Sequence, residues 1–572
     1  MELLERLEIS VLNFRNVFNN DFGRVDAEFF SSKYIKLENK LKKMHHDKIG
    51  LIATVTDGEH GSPDLDDNSG IMYLSGHNVK ENYIDLDNVR FCSEKLHFKN
   101  LRASVKRNSI LMSIVGTVGK CSIVNVDILA NTDRNVATIK DIDSKYNPFY
   151  VSVFLNSLYG KYQTERFSTG NVQPLLNLSQ VKCIIVPNLT STFQKKIEEL
   201  VLLNDEKRED SKSTYSKAEN ILLKELGLST MTQESLEFFT EMITDYLAPT
   251  TADNILDGSK NVSPSSSEVA MFLNNEIKRL QEPKNYNPDN IFKIEALEKQ
   301  LDQAMKDLDH SLKFHEDVLK SMQDHNIGAK NLNQLIEAQK QNINIKSFKD
   351  SFDTSGRLDA EYYQPKYEVV IEKIKSYKNG AEPLAIACKL KDSNQNPIED
   401  KEYDYIELSN IGKTGDINGC TTELGKNLPS RARRLVNTND VIISSIEGSL
   451  QSCALVGKEY DNALCSTGFY VINSEKINSE TLIVLFKSEL MQSIMKQNCS
   501  GTILTGMNKN EFQNILVPII DKPVQIKIAK LIEESFSLKK ESEHLLEVAK
   551  RAVEIAIEES EEMAIGFINK NI

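Results

Sequence analysis

Six basic residues crowd one short stretch of this chain: Arg90, Lys95, Lys99, Arg102, Lys106 and Arg107, with Glu94 the only acid among them. A second stretch, Lys426, Arg431, Arg433 and Arg434, contains no acid at all. Ammonium and guanidinium groups at this density bind phosphates, and an arginine fork can also read the O6/N7 edge of guanine. A run of charge is ordinarily a solvated face. Here both runs precede a short apolar run of the same kind, in a chain whose net charge is −14, and that favours phosphate contact. The overall acidity does not oppose this, because a nucleic-acid footprint is local. His60, in Asp57-Gly-Glu-His60, could act as a base, a metal ligand or a DNA contact. No His or Cys stands at ligand spacing, which argues against a metal. A DNA contact and a turn-stabilising hydrogen bond both remain open.

Other candidates for chemistry are weaker. Gly116 and Gly119 suggest a phosphate loop, but no Lys-Ser/Thr pair follows and no dinucleotide-binding pattern surrounds them, so they are read as turn residues. Asn147-Pro-Phe-Tyr150 is one residue from Asn-Pro-Pro-Tyr, a loop in which the Asn side chain and a Pro carbonyl hold a flipped adenine. The second Pro is missing, no glycine-rich loop for S-adenosylmethionine is evident, and a helix start is the better reading. The eight cysteines are scattered without a C-x-x-C pair, as expected of buried thiols in a reducing compartment. The N-terminus lacks a signal-like basic and apolar stretch, and no apolar run approaches the roughly 18–20 residues needed to span a bilayer. A cytoplasmic protein is expected, with no cofactor and no metal of its own.

These residues are placed by a duplication. Gly23-Arg-Val-Asp-Ala-Glu-Phe-Phe30 returns as Gly356-Arg-Leu-Asp-Ala-Glu-Tyr-Tyr363. Phe14–Phe18 returns as Phe348–Phe352, Tyr73–Val79 as Tyr405–Ile411, and Ile110–Gly116 as Ile442–Gly448. Gly170 with Val181–Pro187 returns as Gly501 with Phe512–Pro518, and Gln194–Ile197 as Gln525–Ile528. The offset drifts only from about 334 to about 331, as a duplication with small deletions leaves it.

Within each copy, short apolar runs such as Ile110–Val115 and Val441–Ile446 predict strands. Phe149–Leu158 and Thr481–Ile494 predict helices, opened by Asn147 and Asn478 as caps. Beyond Pro187 and Pro518 the pattern becomes long polar-rich helix. Ile528, Leu531, Leu538, Leu545, Ala549, Ala552 and Ala556 alternate at three- and four-residue spacing, a coiled-coil seam with small residues for close approach. The corresponding stretch after Gln194 is more polar in its middle. An insert at 229–343 reads as helical around a flexible joint at Asp257–Glu268.

Asp57-Gly-Glu-His60 with Ser62-Pro63, Ser113–Gly119, Ser168–Asn171 running to Pro187, and Val517-Pro518 followed by Gln525 and Ile528 carry a resemblance. In their order they resemble the specificity subunits of type I restriction–modification enzymes, over nearly the whole chain except the insert. The resemblance implies an α+β fold with two target-recognition domains, each followed by a long helix, the helices forming an antiparallel coiled coil. It implies domain 1 at 1–193, its spacer helix at 194–228, domain 2 at 344–524 and a second spacer helix at 525–572. It further implies a non-catalytic subunit that reads a bipartite site in double-stranded DNA and docks two DNA methyltransferase subunits, which hold the S-adenosylmethionine. ATP-dependent endonuclease subunits join such assemblies. The copies differ where Lys391–Asn394 stands for Asp57–His60, so different bases should be read. The competing readings are a stand-alone methyltransferase or nuclease with diverged motifs, and a coiled-coil scaffold.

Overall fold

A computed structural model describes Val17, Asn20, residues 22–86, 89–170 and 173–227, Arg357, and residues 361–500 and 505–572. The insert at 229–343 and the Phe14–Phe18 and Phe348–Phe352 matches lie outside the described residues, apart from Val17. The chain divides into two units, 1–214 with 534–572, and 215–533.

Among the described residues the first unit contains ten strands: β1 (His46–Lys48), β2 (Thr54–Asp57), β3 (Met72–Leu74), β4 (Arg90–Phe91), β5 (Ser104–Val105), β6 (Ile110–Ser113), β7 (Cys121–Ile123), β8 (Ala130–Thr132), β9 (Val136–Lys140) and β10 (Ile185–Pro187). They form sheets of order β2-β9-β6-β7 and β4-β3-β8-β5, and the pair β1-β10. The second unit repeats this with β11 (Ala381–Pro383), β12 (Lys389–Lys391), β13 (Glu402–Ile406), β14 (Thr421–Leu424), β15 (Ala432–Leu435), β16 (Val441–Ser444), β17 (Cys453–Leu455), β18 (Leu464–Ser466) and β19 (Phe469–Asn473). A small hairpin, β20 (Cys499–Ser500) and β21 (Gly506–Met507), precedes β22 (Leu516–Pro518). The orders β12-β19-β16-β17, β14-β13-β18-β15 and β11-β22 reproduce the first unit strand for strand. Each unit is thus α+β, as the duplication implies.

The register moves two of the sequence matches by one residue. Ser113 pairs with Val136 and Ser444 with Phe469, so Ser113 corresponds to Ser444 and not to Ser445. Thr54 pairs with Lys140 and Lys389 with Asn473, which sets Asp57 against Asp392 and not Lys391. The first of these shifts arises where β6 and β16 are buried along their whole length. Without alternation between two faces, the pattern carries no phase.

The arginine of the repeated Gly-Arg motif caps a helix in each copy. Arg24 Nη1 donates to the carbonyls of Arg166 (3.1 Å) and Ser168 (2.9 Å) at the end of Leu158–Phe167. Arg357 does the same for Gln497 (3.4 Å) and Cys499 (3.1 Å) beside Glu489–Gln497. A cation there satisfies end carbonyls and complements the helix dipole. The helices expected at Phe149–Leu158 and Thr481–Ile494 each begin at the Asn cap as read. Both then break at a serine, giving α1 (Pro148–Asn156) and α2 (Leu158–Phe167) in one copy. In the other they give Ser479–Lys487 and Glu489–Gln497. Ser157 and Ser488 are extended at these joints, and the Ser488 side chain caps the second helix.

Two long helices follow β10 and β22: α3 (Ser191–Glu225) and α4 (Lys522–Glu558). A separate short helix, α5 (Glu561–Asn571), closes the chain, so the second long helix does not run to 572. One turn into each long helix a buried glutamine ties it to its sheets. Gln194 Oε1 accepts from Asn147 N (2.6 Å), while Nε2 donates to the carbonyls of Leu189 (2.8 Å) and Lys145 (3.1 Å). Gln525 does likewise with Asn478 N (2.8 Å), Ile520 (2.7 Å) and Lys476 (3.0 Å).

Within the first unit, 191–214 lies beside 534–558. Ser211 and Ser535 exchange hydroxyl-to-carbonyl bonds of 2.8 Å in both directions, Ser542 donates to Asn204 (2.6 Å), and Lys207 pairs with Glu541 (2.8 Å). Asn204, Ser211, Ser535 and Ser542 are buried polar residues where an apolar stripe is expected, while Lys207 and Glu541 lie at the margin and Leu531 and Leu538 are only half-buried. Leu545, Ala549, Ala552 and Ala556 join Phe193, Ile197 and Leu200 in the core of the first copy.

Two stability predictions follow from this packing. Ala552 is fully buried, so Ala552→Glu should cost several kcal/mol through an unpaired buried carboxylate. Unchanged thermal unfolding would put Ala552 on a solvent face. Asp205 is pushed up to about 6 by burial, with Glu209 adding to it and Arg208 opposing. Its unfolded value lies near 3.9, so the folded state binds the proton more tightly. Stability should therefore fall as pH rises from about 4 to about 6. Asp205→Asn should remove that fall and stabilise the protein at neutral pH by on the order of 1–2 kcal/mol. Urea unfolding at both ends of the window checks it.

Candidate nucleic-acid interface

In the first copy Arg90 lies on β4, one edge strand of the sheet β4-β3-β8-β5, while Arg102, Lys106 and Arg107 flank β5, the other edge strand. A short helix, Glu94–Lys99, is capped by Ser93 and buries Leu96 and His97, leaving Lys95, Phe98 and Lys99 exposed. His97 Nδ1 meets Asn131 Oδ1 at 2.5 Å, and Asn131 Nδ2 donates to the Asn100 carbonyl (3.1 Å), which anchors the helix to β8. The following carbonyl of Arg102 accepts from Thr56 Oγ1 (3.0 Å) and Lys140 Nζ (2.8 Å). The backbone is therefore held while the Arg102 side chain stays 56% exposed. Lys106 faces Asp141 (3.9 Å) and Arg107 faces Asp127 (3.1 Å), both exposed pairs. Pairs of this kind contribute about 0–1 kcal/mol and exchange readily for a phosphate.

His60 lies in the same place. Its Nε2 meets Asp57 Oδ2 at 2.7 Å, and the other oxygen accepts from Arg102 Nη1 at 3.2 Å. The turn-stabilising bond foreseen for His60 thus exists, and the ring is still 60% exposed. The bend that carries it needs Gly58, since a Cβ there would stand 1.8 Å from the Thr132 carbonyl. His60 and Arg102, separated by more than forty positions in the chain, share one carboxylate.

In the second copy Lys426, Arg431, Arg433 and Arg434 lie on β15 and the turn before it. Lys426 and Arg431 are exposed, Lys426 facing Asp400 at 3.5 Å. Arg433 donates to Asn396 Oδ1 (3.0 Å) and the Ser430 carbonyl (3.0 Å). Arg434 departs from the expectation of a surface cation. It is 11% exposed, donates to Asp392 Oδ1 at 2.8 Å and lies over the Tyr470 ring. Its partner Asp392 also accepts from Lys509 (2.6 Å), and Lys509 first, then Arg434, hold that carboxyl below the usual range. Lys509 belongs to no basic run, and sequence reading missed it. Lys391 is likewise structural, bonded to Asp440 (2.6 Å) and Asn437 (3.0 Å).

The remaining motifs are accounted for by folding. Asn147 accepts from Phe149 N (2.9 Å) and donates to Glu198 (2.7 Å), and buried Tyr150 donates to the Pro187 carbonyl (2.8 Å). Both polar ends of Asn147 are thereby engaged. Gly119, at φ +91°, closes the β6–β7 hairpin, where a Cβ would come within 2.5 Å of Thr164 Oγ1. The second copy turns instead through Glu447–Ser449. Among the described residues no group of His, Cys, Asp and Glu is arranged to hold a metal, and no helix is long and apolar enough to cross a membrane.

The two arginines, Arg102 on Asp57 and Arg434 on Asp392, should behave differently when removed. Arg434→Ala strips a buried ion pair and should cost about 2–3 kcal/mol. Arg102→Ala lies at the surface and should stay within about 0.5 kcal/mol of wild type. Urea unfolding of the two variants compares them, and equal losses would contradict the assigned burial.

No protein-family model matches the chain. Over 125 residues it is 29% identical to the type I restriction enzyme EcoBI specificity subunit of Escherichia coli. That match covers 22% of this chain and spans about a quarter, 26%, of the relative. Among solved structures, the HsdS subunit from Thermoanaerobacter tengcongensis is 24% identical over 31% of this chain and 46% of its own, with a TM-score of 0.24. The S subunit of a type-I restriction-modification system from M. genitalium is 12% identical over 90% and 95% of the two chains, with a TM-score of 0.34. In its sequence, the chain is similar to the specificity subunits of type I restriction enzymes.

Proposed function

We propose that this chain is the DNA-reading subunit of a type I restriction–modification assembly, itself without a catalytic centre. Each copy reads one half of a bipartite site. The observation that carries the proposal is one strand order built twice, with a basic edge at the same place in each copy and different residues on the two edges. A framework kept while its reading edge changes suits two different short sequences. The sequence similarity to a specificity subunit supports the same reading. Lys95, Lys99, Lys106, Arg107 and Lys426 serve as phosphate contacts, and His60, Arg102, Arg431 and Arg433 face the bases.

In this reading the long helices form an antiparallel coiled coil that sets the spacing of the half-sites. The opposed pairings Asn204–Ser542 and Ser211–Ser535 support it. Two methyltransferase subunits dock on the chain and hold S-adenosylmethionine, endonuclease subunits join them, and the assembly works in the cytoplasm.

Methylome mapping of a host with and without the gene tests the proposal. Arg431→Ala and Arg433→Ala should each disturb only one half of the site, by about 1–3 kcal/mol at one position. Lys95→Ala and Lys99→Ala should weaken binding to all sequences and lower the salt slope by about one unit each. A single continuous site, or methyl transfer by the purified chain alone, would overturn the assignment.

A further inference from the structure

The same arrangement stands at the end of equivalent strands in both copies. Asp57 follows Thr56 on β2 and Asp392 follows Lys391 on β12, three residues after the equivalent pairs Thr54–Lys140 and Lys389–Asn473. Each carboxylate divides its two oxygens between two basic heads brought from different parts of the chain. Asp57 takes His60 (2.7 Å) and Arg102 (3.2 Å), and Asp392 takes Lys509 (2.6 Å) and Arg434 (2.8 Å). The arginine comes in both copies from the segment that leads to or forms the last strand of the second sheet. The other partner comes from a different place in each copy.

We propose that Asp57 and Asp392 are equivalent positioning residues whose exposed partners read base edges, and that Lys509 is a further reading head of the second copy, beside Arg431 and Arg433. The proposal rests on the DNA-reading function above and names the residues that make its halves differ. In the first copy both heads face solvent, His60 at 60% and Arg102 at 56% exposure. In the second, Arg434 is sunk at 11% and Lys509 remains at 49%. A guanidinium tied to a carboxylate through one Nη keeps its other N–H groups in a fixed fork, so less side-chain freedom is lost when it meets guanine O6 and N7. With Nε2 of His60 turned to Asp57, Nδ1 is the ring nitrogen directed elsewhere. An ammonium is a point donor with no fork. The two heads therefore ask for different base edges.

Lys509 opens the helix Lys509–Asn514, at the place where Leu178 opens Leu178–Lys182 in the first copy. An apolar residue in one copy and a cation in the other is the pattern of a specificity position, because the helix itself is retained. Both helices keep the same capping box, Asn177 with Gln180 and Asn508 with Glu511.

The test selects bound duplexes from a random-sequence library with the full chain and sequences them. Wild type should return two half-sites. Arg102→Ala and Asp57→Asn should relax one half, roughly ten-fold at one position, and leave the other intact. Lys509→Ala and Asp392→Asn should relax only the other half, and Lys509→Arg should keep a preference there. If Asp392→Asn fails to fold, Lys509→Ala carries the test, since that side chain lies at the surface. A bipartite wild-type site with profiles unchanged in Arg102→Ala and Lys509→Ala overturns this proposal and leaves the proposed function standing. A uniform loss of affinity with unchanged profiles also overturns it, by making the residues mere phosphate contacts. Wild type selecting no sequence at all removes both.

Discussion

A buried carboxamide begins each long helix, and the arrangement of each copy depends on it. Gln194 and Gln525 spend their oxygen on the first amide of the Asn-capped helix and their nitrogen on two carbonyls, one just before the long helix and one after the last sheet strand. A buried amide that loses one of these partners costs about 1–3 kcal/mol. Three segments that meet only in the folded chain are thereby held in one geometry. An aliphatic residue would pack there but would impose no direction. The helix consequently leaves each sheet framework by the same route in both copies, and residues at its far end inherit a defined position.

The middle of the helical pairing follows a related logic. Ser211 and Ser535 lie too close for branched side chains, and they satisfy each other's hydroxyls and carbonyls. Small polar residues permit close approach and fix register, because sliding by a turn would leave buried hydroxyls unpaired. Further along, Leu545, Ala549, Ala552 and Ala556 meet the apolar core of the first copy, where packing alone suffices. Burial carries a cost where Asp205 must also fit, and its raised affinity for a proton records it.

Around these fixed joints the copies diverge where nothing is buried. The core strands β6 and β16 are buried throughout and the Arg24 and Arg357 caps are equivalent. The basic edges are not. Asp57 and Asp392 remain, while the heads they hold change from imidazole and guanidinium, both exposed, to an exposed ammonium and a sunken guanidinium. Replacing exposed heads on a retained carboxylate changes recognition without disturbing the framework that presents it.

The duplication, the α+β character, the Asn caps and the start of each long helix were legible in the sequence. They depend on local chemistry: turn residues, cap propensity and ordered repeats at nearly constant offset. The polar seam was not legible, because serine and asparagine read as solvent-facing until a partner is seen to complete their hydrogen bonds. The register of β6 with β16 escaped for want of alternation. Arg434 looked like its neighbours, and only the ring of Tyr470 and the carboxylate of Asp392 show why it is sunk. Lys509 stood alone, more than seventy positions from Arg434, and nothing local marks it. Meeting at one carboxylate is a property of loops folded against each other. The sequence determined which frame is built and that it is built twice, and the tertiary structure decided which charged groups share a partner and which remain exposed.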